Sequence, residues 1–108
     1  MIQVLIRRRH DDRLITGYTV SGHAFFANPG NDIVCAGVSA VAVGTVNAIE
    51  TLTGTSLGTE MNEGLLRVII PELENRERDQ VQLLLESMVV MLKTIEESYG
   101  KHIKIKQD

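Results

Sequence analysis

Ile2, Val4 and Ile6 alternate with Gln3 and Leu5, the two-residue period of a short strand, and the run Arg7-Arg8-Arg9-His10 with Asp11 and Asp12 reads as the charged turn that ends it. Leu14 to Val20 is rich in β-branched residues and holds Tyr18, so it predicts a second strand antiparallel to the first. Gly17 inside that strand marks a bulge or a close backbone approach. Two glycines, Pro29 and two asparagines between Gly22 and Asn31 predict a loop.

The pattern changes at Asp32. The 17 residues from Ile33 to Ile49 carry no charge, and alanine is common among them beside valine. The stretch is too long for one strand, and Asp32 suits the N-cap of a buried helix. It is also too short, and too rich in Gly, Ser, Thr and Asn, to span a bilayer. Val34, Val38, Val41, Val43 and Val46 lie all around this helix, so one sheet face cannot cover it and a second cover is required.

Gly54 to Gly64 reads as a turn and a short strand around Leu57 to Met61, with Glu63-Gly64 as a hairpin tip before a strand from Leu65 to Ile70 that Pro71 ends. From Asn75 the period becomes helical: Val81, Leu84, Leu85, Met88, Leu92, Ile95 and Tyr99 share one face, opposite Arg78, Gln82, Glu86 and Lys93. Gly100 suits the C′ stop of that helix. Lys101 to Lys106 then alternates Ile103 and Ile105 with lysines, a last strand with one wet face. The order ββαββαβ predicts an α+β fold, a mostly antiparallel sheet packed with two helices, as one domain over residues 1–108.

Composition narrows the function. Among 108 residues, 11 Lys+Arg against 14 Asp+Glu give a net charge of −3, and the 44% apolar and 23% charged shares are those of an ordinary soluble protein. Disordered, collagen-like and disulfide-scaffold chains are excluded. A mildly acidic domain has no overall field to hold a polyanion, so direct nucleic-acid binding is not expected. One cysteine, Cys35, cannot form an internal disulfide, which fits a reducing compartment. The basic residues follow the short N-terminal apolar run instead of preceding it, unlike a signal peptide, and the expected location is the cytoplasm.

Cys35 falls three residues past the proposed cap, where unpaired N–H groups and the positive end of the helix dipole favour an anion such as a thiolate. His23 lies twelve residues earlier, across a loop that can fold back. An imidazole there would accept the thiol proton and hold the thiolate ready for nucleophilic attack. The backbone N–H groups of Cys35 and Ala36 are candidate donors to a developing oxyanion. Spacing alone also fits an inert core cysteine and a surface histidine. Asp32 can serve purely as a cap, and so close a carboxylate opposes a thiolate. Ser39, one turn on, can donate toward the sulfur or back to a carbonyl. His10, His23 and His102 with one cysteine have no zinc-ligand spacing, and no metal or other cofactor is expected.

Gly22-His23-Ala24, Ala27, Gly30, Asp32-Ile33-Val34-Cys35-Ala36 and Ser39-Ala40 together resemble the signature of the ribosomal-processing cysteine proteases of the Prp family, over the whole chain. Phe26 stands where many members have tyrosine, and Gly37 where alanine is frequent. The resemblance implies a homodimeric cytosolic endopeptidase that removes a short N-terminal extension from ribosomal protein L-twenty-seven of the large subunit. It also implies Cys35 as nucleophile, His23 as general base and later acid, and Gly22, Gly30, Asp32 and Ser39 as residues that shape the site. A loop from Ala24 to Asn31 would close over an extended peptide, with Pro29 stiffening it. Two other functions compete: a ribosome-associated assembly or RNA-binding factor using Arg7 to Arg9 and Lys101, Lys104 and Lys106, and a small thioesterase using the same cysteine.

Overall fold

The computed structural model describes residues 1–108. Its elements are β1 (Ile2–Arg8), β2 (Ile15–Ser21), α1 (Ile33–Thr53), β3 (Gly58–Asn62), β4 (Leu65–Ile69), α2 (Asn75–Tyr99) and β5 (Ile103–Gln107), the order the periodicities predict. The five strands form one sheet in the order β3-β4-β2-β1-β5. Three neighbouring pairs are antiparallel, and β5 lies parallel to β1. Both helices pack side by side on one face. Ile2, Val4 and Ile6 of β1, Tyr18 of β2, Leu66 and Val68 of β4 and Ile103 of β5 meet Val34, Val38 and Ile49 of α1 and Val81, Leu85, Met88 and Leu92 of α2 in a common core. Each such side chain contributes about 1.5–3 kcal/mol on leaving water. The Tyr18 hydroxyl reaches through that core to donate to the Ala42 carbonyl at 2.8 Å, which ties β2 to α1.

Gly17 fulfils both of its expected roles. The pairing of β1 with β2 slips between Arg7 and Arg8, and a Cβ on Gly17 would stand 2.7 Å from the Val68 carbonyl oxygen.

Four points differ from the sequence reading. β1 runs on through Arg7 and Arg8, because Arg8 faces the helices and forks onto Glu86 of α2 at 2.6 and 2.8 Å. The Arg8 guanidinium holds the Glu86 carboxyl below its usual range. Arg9 meets Asp12 and Glu72, so two members of the basic run are spent in ion pairs. α1 continues past Glu50 to Thr53, where Gly54 caps it in the left-handed region and returns its N–H to the Glu50 carbonyl.

At 21 residues α1 is long and apolar enough by composition to cross a membrane, so shortness no longer argues against a span. Its packing does. One side lies in the core, and α2 supplies part of the second cover it required. Finally, Gly100 ends α2 with φ −62°, an ordinary helical conformation and not the left-handed stop expected of it.

Candidate active site

The site forms where the N-terminus of α1, the 22–31 loop and the β3–β4 hairpin tip meet. Asp32 organises it. One carboxylate oxygen, Oδ1, accepts the backbone N–H groups of Val34 and Cys35, each at 3.0 Å, and caps α1. The other, Oδ2, accepts those of Phe26 and Ala27 at 2.9 and 3.3 Å and draws the loop back onto the helix. These donors, that of Cys35 foremost, outweigh desolvation and hold the carboxyl below the usual carboxylate range. The clasp is therefore in place wherever Asp32 is ionised, and weakens only as acid protonates it.

The loop's outer turn follows from Pro29-Gly30. The Asn31 N–H closes on the Asn28 carbonyl at 2.9 Å, and Gly30 takes φ +89°, the positive value that position i+2 of a type II turn demands. Phe25, 76% exposed at φ +54°, tilts its ring against His23 with centroids 5.9 Å apart.

Cys35 is half-buried. Its sulfur accepts the Ala24 N–H at 3.3 Å. The His23 ring lies over Gly64 at the hairpin tip, 3.0 Å from where a Cβ would stand on that glycine. Two cavities adjoin here. One of about 190 Å³ runs between sheet and helix past Ile2, Val20, Val38, Ala42, Met61 and Leu66. The other, about 590 Å³, opens under the loop past Phe25, Ala27, Pro29, Gly30, Asp32 and Glu63. His23, Cys35 and Ser39 line both.

Two expectations need correction. The Cys35 N–H is taken by Asp32 Oδ1, and the Ala36 N–H by the Asp32 carbonyl at 3.0 Å, so neither is a free oxyanion donor here. The Ser39 hydroxyl bonds neither to the sulfur nor to a carbonyl; it faces the two cavities instead. No hydrogen bond joins His23 to Cys35, and Asp32 spends its oxygens on the backbone. No three His, Cys, Asp or Glu side chains are placed to hold a metal ion together.

One residue at the site had no signal in the sequence beyond its being a histidine. His102 brings Nδ1 to 3.0 Å from the Ala24 carbonyl, at the foot of the loop. Phe26 packs edge-on against both His102 and Tyr99, with centroids 5.3 and 5.5 Å apart.

A half-buried thiol at a helix start shares the walls of two cavities with an imidazole; this is the equipment of a cysteine protease. Comparison with known proteins makes the class particular. The sequence profile of cysteine protease Prp matches residues 1–104, and the chain belongs to that family. The ribosomal processing cysteine protease Prp of Bacillus subtilis is 42% identical over 108 residues, covering 97% of this chain and 96% of its own. Two crystal structures of the Staphylococcus aureus ribosomal processing protease Prp cover 100% of both chains. That with a covalently linked product peptide has 37% identity and a TM-score of 0.91. That with a substrate peptide has 35% and 0.84.

Proposed function

We propose that this protein is a ribosome-processing endopeptidase that trims the N-terminal extension of ribosomal protein L-twenty-seven in the cytosol, with Cys35 as nucleophile and His23 as general base and acid. The observation that carries this reading is the shared wall: Cys35 and His23 border the two cavities between which an extended peptide would present its scissile bond. The names of the relatives supply the substrate class.

In the reaction His23 accepts the thiol proton and the sulfur attacks the scissile carbonyl carbon, giving a tetrahedral oxyanion. Collapse expels the amine, which takes its proton from His23, and leaves a thioester. Water, giving a proton to His23, hydrolyses the thioester, and the thiol returns. The lack of a hydrogen bond between His23 and Cys35 in the free chain supports a dyad assembled as the peptide closes the loop. The test is to incubate the chain with the same organism's L-twenty-seven precursor and read the products by mass spectrometry. A single cut at the end of the extension is expected. An untouched precursor, or one with no extension, overturns the substrate assignment.

The working unit in this reading is a homodimer joined through the helical layer. Ala40, Gly44 and Ala48 form a row of small residues beside Leu84 and Met91 in a groove of about 250 Å³ between α1 and α2, and Leu83 and Val90 stand out beside it, 71% and 64% exposed. Small residues at such spacing let a second helix approach closely, and apolar exposure on this scale favours burial against a second copy. A Cβ on Gly44 meets nothing within 4 Å. Gly44→Glu should therefore preserve the fold, gain about 0.5–1 kcal/mol of helix propensity and split the dimer. Sedimentation equilibrium and thermal melting check this; a variant as dimeric as the parent moves the interface elsewhere.

A further inference from the structure

We propose that His102 is a positioning residue of the active site, acting through the backbone of Ala24 to hold an N–H donor on the Cys35 sulfur; this rests on the reading of Cys35 as the nucleophile. The Ala24 backbone is bonded on both sides of its Cα. Its N–H points at Cys35 Sγ, 3.3 Å away, and its carbonyl meets His102 Nδ1 at 3.0 Å. A carbonyl oxygen only accepts, so Nδ1 carries the hydrogen.

The N–H belongs to the 23–24 peptide plane and the carbonyl to the 24–25 plane, so the two bonds hold the planes on either side of the Ala24 Cα. With the carbonyl released from His102, the Ala24 Cα is free to shift and carry the N–H off the sulfur. Ala24 itself is buried, 2% exposed.

His102 is well anchored for the task. Its own N–H donates to the Tyr99 carbonyl at 2.8 Å where α2 ends, and its carbonyl accepts the Ile2 N–H at 2.9 Å where β1 begins. Phe26 closes over the ring edge-on. The loop thus has two independent moorings. Asp32 holds Phe26 and Ala27 to α1, and His102 holds Ala24 to the far end of α2.

The donor matters because the first turn of α1 offers the sulfur so little. Asp32 engages the N–H groups of Val34, Cys35 and Ala36. The Ala24 N–H is then the one backbone donor bonded to the sulfur, and it faces the negative charge the nucleophile carries. A displacement of about an ångström at such a site costs up to about a hundredfold in rate.

The test compares three replacements. His102→Phe keeps the ring contact with Phe26 and removes the donor. His102→Asn puts an amide N–H near the place of Nδ1, and His102→Gln puts it too far out. With a fluorogenic peptide bearing the cleavage sequence, His102→Phe is expected to lower kcat about ten- to a hundredfold with KM nearly unchanged. Hydrogen exchange at the Ala24 amide should speed up, and alkylation of Cys35 by iodoacetamide should change in the same variant. His102→Asn should restore most of each quantity and His102→Gln little; if the phenylalanine variant folds poorly, Asn against Gln carries the same comparison. Activity that falls equally in all three in step with melting temperature, or an unmoved Ala24 amide, overturns the proposal. Exchange and alkylation need no protein substrate, so a failure of the ribosomal assignment leaves them readable. Normal cleavage with an unchanged kcat in His102→Phe overturns only the role of His102.

Discussion

Cys35→Ser should lose peptide cleavage by at least about a thousandfold while the fold persists, since removing the nucleophile of an acyl-transfer site costs that much or more. Serine is the informative replacement. Its hydroxyl keeps an acceptor for the Ala24 N–H, whereas Cys35→Ala leaves that buried donor without a partner. An unsatisfied buried N–H costs about 1–3 kcal/mol. With a melting shift of about 4–8 °C per kcal/mol for a domain of this size, the alanine variant should melt visibly lower than the serine variant. Neither change touches the backbone bonds from residue 35 to Asp32, so the helix cap survives in both. The oxygen of serine is a far poorer nucleophile than a thiolate without a base already bonded to it, and His23 is not bonded to residue 35 in the free chain. Mass spectrometry of an extended peptide, beside thermal melts, reads both effects. Cleavage retained at the parent rate by either variant removes Cys35 from the covalent step.

The order of elements was legible because periodicity is local. Ile2, Val4 and Ile6 repeat every second residue, Val81 to Tyr99 repeat on a helical face, and the patterns break where the elements end. The errors lie where the deciding partner is distant in sequence. Arg8 belongs to a strand because Glu86 waits on α2, 78 residues away. The charge-free stretch stops at Ile49, yet the helix runs on to its cap at Gly54, and the Glu50 carboxylate is occupied in accepting the Leu57 N–H.

At the site, the residues of one short segment were readable and their mutual exclusions were not. Asp32 was recognisable as a cap, but its carboxylate takes the Cys35 N–H and its backbone carbonyl the Ala36 N–H that an oxyanion would need. Those two roles compete for the same hydrogens, and the cap holds them in the free chain. His102 was beyond reach for another reason. Its partner Ala24 is 78 residues away, and only the meeting of β1, β5 and the end of α2 brings the two together.

Gly22→Ala is expected to be among the most damaging single changes outside the core. Gly22 sits at φ +86°, and a Cβ there would stand 2.5 Å from the Met1 carbonyl oxygen. Relief is not local. Ile2, next to Met1, is paired with Ile103 and donates its N–H to the His102 carbonyl, while the Gly22 N–H donates to the Gly64 carbonyl at 2.9 Å. Shifting either side disturbs the junction of β1, β5 and the β3–β4 hairpin. The positive φ alone costs about 1–3 kcal/mol in a residue with a side chain. With the contact added, a loss of about 2–4 kcal/mol is expected, which lowers the melting temperature by roughly 10–25 °C. Activity should fall further than stability. Residue 22 directly precedes His23, and any rotation at its backbone carries the imidazole away from its seat over Gly64 and off the wall it shares with Cys35. The measurement is cleavage at a temperature where the variant is fully folded, with its melt recorded alongside. Full activity in the folded variant would mean that His23 finds Cys35 without the backbone set by Gly22. An unchanged melting temperature would mean that the start of β1 yields freely to a side chain, and that the junction is softer than its hydrogen bonds imply.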